Sequence, residues 1–346
     1  MTVTAPNPAP TAEVPKSSGT RLVDRVFRMR ELAILLVFLV MIAVTQAGNS
    51  EFLSEQGIKD LLLNATILVL VATGQSLVVV TRNVDLSVGS TLGISAFAAG
   101  IYLQGGGNPV VAIALAVLLG IGFGLLNGLL VSFGQVPALV VTLGTLYIIR
   151  GIDSIWVGSR QITAADLPDG FVDFGSGGIS AVPYLALIAL AVLIATAYYL
   201  RQFGSGRELY ALGSNPEAAR LAGIPVRKRI LISYTFCGAL AGLAGALYLA
   251  RFGNVDSSTG NGYELTVVSA VVVGGVVFTG GSGSVYGAAL GALLLTSINS
   301  VLPALGVSSV WVMAINGILL ILAIAVDRIV ALRVASALKK RNARHG

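Results

Sequence analysis

The sequence predicts an all-α integral membrane protein with about ten transmembrane helices and both termini on the cytoplasmic side. Three observations predict it. First, 55% of the 346 residues are hydrophobic and only 11% are charged, with a mean hydropathy of +0.87. A soluble domain carries about 25% charged residues, so 16 acids and 22 bases cannot coat a chain of this size in water. The same numbers exclude a disordered chain, which needs low hydrophobicity and high charge. Second, the apolar residues fall into runs of the length that crosses about 30 Å of hydrocarbon. Third, the basic residues lie almost entirely in alternate connections between those runs.

Taken in order, residues 1–20 are rich in Pro, Thr, Ser and Ala and are expected to be a disordered tail. No basic start feeds directly into an apolar run there, as a signal peptide would require. Residues 21–330 form the expected polytopic domain, with runs at 31–48, 60–81, 86–104, 109–132, 136–152, 181–200, 230–250, 264–281, 284–303 and 308–326. The run 136–152 is short and ends in Arg150. The run 264–281 contains Gly274 and Gly275, which fits a full span or a broken helix enclosed by protein. Residues 331–346 form a basic cytoplasmic tail. Glycine, at 42 residues, suits closely packed membrane helices.

With the N-terminus inside, 18 of the 22 basic residues lie on the cytoplasmic side, and only Lys59, Arg150, Arg160 and Arg251 lie outside. That bias assigns an N-in, C-in orientation. It also reads the basic excess as membrane flanks rather than as a nucleic-acid surface. Residues 153–180, with Asp153, Asp166, Asp169 and Asp173, are expected to be a solvated outer loop. An offset of 198 residues aligns Val78, Val79, Thr81, Gly89, Leu92 and Gly93 with Val276, Val277, Thr279, Gly287, Leu290 and Gly291. Weak internal symmetry of this kind is common in transporters.

The chemistry-bearing residues are few. Cys237 and His345 each stand alone in their type, so no disulfide, metal site or His-based catalytic set is expected. Ionisable residues sit at span ends or in turns, which argues against a proton relay. Neutral polar residues do fall within spans. Asn64, Gln75, Asn127 and Asn299 are candidates for a pathway that hydrogen-bonds a neutral, hydroxyl-rich solute, and the alternative role for each is to join helices. In the turn Thr81–Ser90, Asp85 is placed to cap a helix start, beside Ser87 and Gly89. In the inside connection 201–229, Asn215-Pro216 is a helix start and Gly223 with Pro225 a stop. A short helix over 216–224 follows, and it cannot bury its Ala/Leu face alone.

Glu217-Ala218-Ala219, followed by three residues and Gly223, resembles the "EAA" coupling loop of ABC-importer permeases. Val84–Ser90 resembles the "IDLSVGS" signature of the ribose/xylose/arabinose class of sugar permeases. So do Gly280–Gly287 and the run Gly306–Trp311. Where sugar permeases of this class carry Gly-Gly before the acidic turn, Arg82-Asn83 stand here, which looks more like the rhamnose and autoinducer-2 branch. The resemblance implies a permease subunit of the bacterial cytoplasmic membrane that imports a monosaccharide by alternating access. It implies three protein partners: a cytoplasmic ATPase docked on Glu217, Ala218, Ala219 and Gly223, an extracytoplasmic sugar-binding protein, and a second permease subunit, identical or different. ATP and Mg would be held by the ATPase, because this chain has no Gly-x4-Gly-Lys-Ser/Thr loop and carries no cofactor of its own. Competing readings are an ABC permease for autoinducer-2 or branched-chain amino acids, a sodium-coupled secondary transporter, and a membrane enzyme. The last has poor material in His345 and Cys237.

Overall fold

A computed structural model describes residues 18–304 and isolated positions between 308 and 325. Most of the expected N-terminal tail, most of the run 308–326 and the 331–346 tail lie outside the described residues. Among the described residues the chain is helical apart from turns and one two-residue-stranded hairpin.

Helix α1 spans Ser18–Gly48, α2 Glu55–Val80 and α3 Val88–Gln104. Helix α1 therefore takes in residues 18–20, which composition alone assigned to the tail. Every residue of α2 from Ala65 to Val80 is buried. A helix that is apolar on all sides belongs in the centre of a bundle, and α2 packs there against α7 (Tyr184–Gln202), α10 (Val226–Phe252), α11 (Tyr263–Val273) and α12 (Val285–Ala304). Helices α4 (Pro109–Ser132), α5 (Ala138–Val157) and α7 (Tyr184–Gln202) instead turn large apolar side chains outward, among them Leu118, Ile148 and Ile194. Such faces are stable against lipid tails and not against water.

Helix α10 (Val226–Phe252) lies along α4. A Cβ on Gly120 would fall 2.1 Å from the Gly238 carbonyl oxygen, and one on Gly238 would fall 2.2 Å from that of Gly120. The two backbones touch, which only a small-residue stripe permits.

One expectation changes, and two runs whose extent was open take a definite form. The run 136–152 is a full helix that continues to Val157, so Arg150 and Asp153 lie inside α5 and not beyond it. The Arg150 guanidinium donates to the Thr259 carbonyl at 2.7 Å, and this internal partner lets the helix carry a charge. The 153–180 segment is more than a solvated loop. It folds into a short turn at Ala164–Asp166, α6 (Asp169–Ser176) and the hairpin β1 (Gly178–Ile179)–β2 (Val182–Pro183). Asp153, Ile162, Leu167 and Phe171 are buried in it. The run 264–281 is broken: α11 (Tyr263–Val273) stops at Gly274, and Gly275 takes a left-handed φ of +93°. A connection then leads to α12 (Val285–Ala304).

Among the described residues six helices are long and apolar enough to cross a membrane: α2, α4, α5, α7, α10 and α12. The apolar part of α1, α3 and α11 are shorter apolar helices.

The connections gather at two ends. At one end the Arg251 guanidinium pairs with Asp60 at 2.9 Å, Gln104 donates to Asp166 at 3.0 Å and Gln161 donates to Asn254 at 2.8 Å. Ile162 and Val255 form a backbone bridge at the same end. At the other end Arg82 meets Gly213 and Ser214, Gly281 N–H donates to the Val80 carbonyl at 2.9 Å, and Arg227 lies over the Phe133 ring.

Candidate functional site

The connection 201–229 folds into two helices, α8 (Gly204–Ser214) and α9 (Pro216–Leu221). Helix α9 starts where capping chemistry places it. The Asn215 side-chain oxygen accepts the backbone N–H groups of Glu217 and Ala218, both at 3.1 Å, with Pro216 at the first position. It stops three residues before the expected 224. Gly223 takes φ +80°, its N–H donates to the Arg220 carbonyl, and the Ile224 N–H donates to the Ala219 carbonyl. That pair of bonds is a Schellman ending, which needs a left-handed residue at Gly223.

Of the residues expected to dock a partner, Ala219 is buried beneath α9, whereas Glu217, Ala218 and Gly223 are exposed. Leu221 stands beside them 91% exposed. Leu209 and Leu212 of α8 are buried, a difference that hydropathy alone does not show.

Helix α8 fixes α9 to the bundle. The Glu208 carboxylate accepts from the Arg229 Nε at 2.5 Å, tying α8 to α10. The Tyr210 hydroxyl donates to the Gly283 carbonyl at 3.2 Å. Burial pushes the Tyr210 phenol above its ordinary value, so it stays a donor. Arg82, at the end of α2, donates from Nε to the Gly213 carbonyl and from a terminal nitrogen to the Ser214 carbonyl at 2.6 Å.

Next to Arg82 lies the acidic turn. The Asp85 carboxylate accepts the Ser87 N–H at 2.9 Å and the Ser87 hydroxyl at 2.7 Å. It therefore orders the residue that precedes α3. Four helices hold this turn. With its amide turned to suit the network, Gln75 of α2 exchanges two bonds with the Asp85 backbone, at 3.3 and 3.1 Å. Asn127 of α4 donates to the Ser87 hydroxyl at 2.8 Å. Tyr234 of α10 donates to the Val84 carbonyl at 3.0 Å, and Thr142 of α5 reaches the same oxygen at 3.4 Å. Gly89 is buried on the first turn of α3, facing the Gly260 carbonyl and the Glu264 side chain.

Gln75 and Asn127, read in the sequence as pathway candidates, thus come together around Asp85. Asn64 is half-buried eleven residues earlier on α2, and Asn299 is exposed on α12; neither side chain has a hydrogen-bond partner among the described residues. Asn127 keeps a buried side-chain oxygen without a partner. Sequence reasoning missed Tyr234 and Thr142, whose partners lie 150 and 58 positions away. No group of His, Cys, Asp and Glu fit for a metal ion occurs among the described residues.

The profile of the family described as "Branched-chain amino acid transport system / permease component" matches residues 57–324. The chain is 36% identical over 298 residues to the autoinducer 2 import system permease protein LsrC of Enterobacter sp. (strain 638), covering 86% of each chain. It is 35% identical over 312 residues to the ribose import permease protein RbsC of Escherichia coli (strain K12), covering 90% of this chain and 97% of the relative. It is 38% identical over 295 residues to LsrC of Salmonella paratyphi B (strain ATCC BAA-1250 / SPB7), covering 84% of each. A bundle of apolar helices matched over most of its length by these proteins is neither an enzyme nor an ATPase: the chain belongs to this permease family, as a multi-pass inner-membrane subunit of an ABC importer.

Proposed function

We propose that this chain carries a monosaccharide, a pentose or a deoxyhexose such as rhamnose, through the cytoplasmic membrane by ATP-driven alternating access. The observation that carries the reading is α9, which presents Glu217 and the bare Leu221 on a short helix tied to the bundle through α8. In this reading a cytoplasmic ATPase covers Glu217, Ala218, Leu221 and Gly223 and holds ATP and Mg itself. A binding protein delivers solute from outside, and a second permease subunit completes the pathway.

The solute class is supported by the relatives named for ribose and autoinducer 2 import. Arg82-Asn83 before the acidic turn favours autoinducer 2 as the second reading. Of the four pathway candidates, Asn127 has spare hydrogen-bonding capacity in its buried oxygen.

The proposed topology has about ten spans, N-in and C-in. Its support is that segments assigned to one side by charge meet one another. Residues 60, 104, 161 and 254, all read as outer, bond to segments read as outer, and residues 82, 213, 214 and 281, all read as cytoplasmic, bond or pack to one another. The repeat gains similar support. Arg82 and Gly280, 198 positions apart, both take positive φ, and α3 and α12 begin at residues 88 and 285.

The test is a reconstituted complex with ATPase and binding protein. The double variant Glu217→Ala, Gly223→Val is expected to lose ATPase association and uptake together. Unchanged association and uptake would contradict the docking assignment.

A further inference from the structure

We infer that Arg82 is the positioning residue through which α9 moves the membrane bundle. This rests on the reading of α9 as the ATPase-coupling helix.

The last carbonyls of a helix have no partner within it and carry the negative end of its dipole. At the end of α8 two of these carbonyls, Gly213 and Ser214, receive the Arg82 guanidinium from α2. Two donors in a fixed plane match two adjacent carbonyls, a geometry that the single ammonium of Lys does not reproduce. The residue after Ser214 is Asn215, the cap of α9. The guanidinium therefore grips the chain immediately before the coupling helix.

The backbone beneath is equally close. A Cβ on Gly213 would fall 1.8 Å from the Val80 carbonyl oxygen and 2.4 Å from the Gly281 nitrogen. The α2 end, the α8–α9 junction and the Gly280–Gly283 connection thus close on one another, and Arg82 is the side chain that crosses between them.

Its own backbone points the same way. Arg82 takes φ +66° in the Schellman ending of α2, where its N–H donates to the Val79 carbonyl and the Asn83 N–H to the Val78 carbonyl. Glycine occupies that region without steric cost, and a side chain does not. Here the position holds a side chain with long-range partners. On its other side Arg82 is two residues from Val84, whose carbonyl is held by Tyr234 of α10 and Thr142 of α5. A displacement of α9 has a short, bonded route into α2, α5 and α10.

The experiment uses the full complex and measures three quantities: ATPase association, ATP hydrolysis and solute accumulated per ATP hydrolysed. Arg82→Gly relieves the positive φ while removing the grip, so it should fold. It is expected to keep association and hydrolysis and to lower accumulation per ATP by about tenfold, within the usual span of allosteric coupling. Arg82→Lys, with charge but no fork, should stay closer to the glycine variant than to the parent. Unchanged accumulation per ATP in Arg82→Gly would overturn the inference. So would a parallel fall in association and uptake, which would make Arg82 only a support for docking. If Glu217→Ala with Gly223→Val leaves association intact, the reading of α9 fails independently of Arg82.

Discussion

Asn215 shows what one side chain settles. Its oxygen satisfies two of the orphan donors of α9. Asn215→Ala should cost about 1 kcal/mol of local helix stability. Amide protection across 216–221 should then fall about fivefold in hydrogen exchange, while Asn215→Ser keeps most of it. Asp166 gives a pH-dependent counterpart. Hydrogen bonds from the Thr163 N–H and hydroxyl, then Gln104, hold its carboxyl below the usual range. A depressed carboxylate contributes order above its unfolded pKa and loses it as pH falls through the folded value. The Thr163–Asp166 turn should therefore loosen only below the ordinary carboxylate range, as followed by exchange of the Thr163 amide, and Asp166→Asn should remove that transition. Asn215-Pro216 and Gly223 were legible in the sequence because capping is local chemistry. The roles of Arg82 and Tyr234 were not, because their partners lie 131 and 150 positions away. Arg82 reads alone as one more inside base.

Among the elements, the α4–α10 crossing is the most demanding. Gly120→Leu would drive a side chain into the Gly238 carbonyl, and overpacking of this kind costs about 1–3 kcal/mol or more. Gly122, two residues along on the same helix, faces open space. The expected outcome is a clear drop in the melting temperature of the purified protein for Gly120→Leu and little change for Gly122→Leu. Equal effects would contradict the packing described. Long apolar runs such as α2 and α10 were visible in the sequence because hydropathy reports burial in lipid or protein alike. The same indifference left the run 264–281 open between a full span and a broken helix until Gly275 was seen at positive φ, and left α6 and α8 unread. Both are too short to show a period, and their buried residues face neighbours that sequence does not name. Arg150 looked like the end of a span because its partner at Thr259 is distant.

For the molecule as a whole, the proposed sorting of connections by charge is supported by the pairs Asp60–Arg251, Gln104–Asp166 and Gln161–Asn254 on one side and Arg82–Ser214 on the other. The scarcity of ionisable groups in the spans leaves little with which to run a proton relay. Among the described residues Asp153, like Asp85, is a buried acid whose surroundings the sequence did not reveal. It is buried inside α5, with the Arg150 guanidinium 3.9 Å away. The driving force is then expected to enter through α9, and its coupling requires that ATPase and solute both distinguish the two conformations. The most direct test is uptake of ribose, rhamnose and autoinducer 2 by proteoliposomes holding the permease with its ATPase and binding protein. The expected result is accumulation of one of these that requires ATP hydrolysis and the binding protein, and that is lost in Glu217→Ala with Gly223→Val. Accumulation driven by a sodium gradient without ATP, and indifferent to that double substitution, would contradict it.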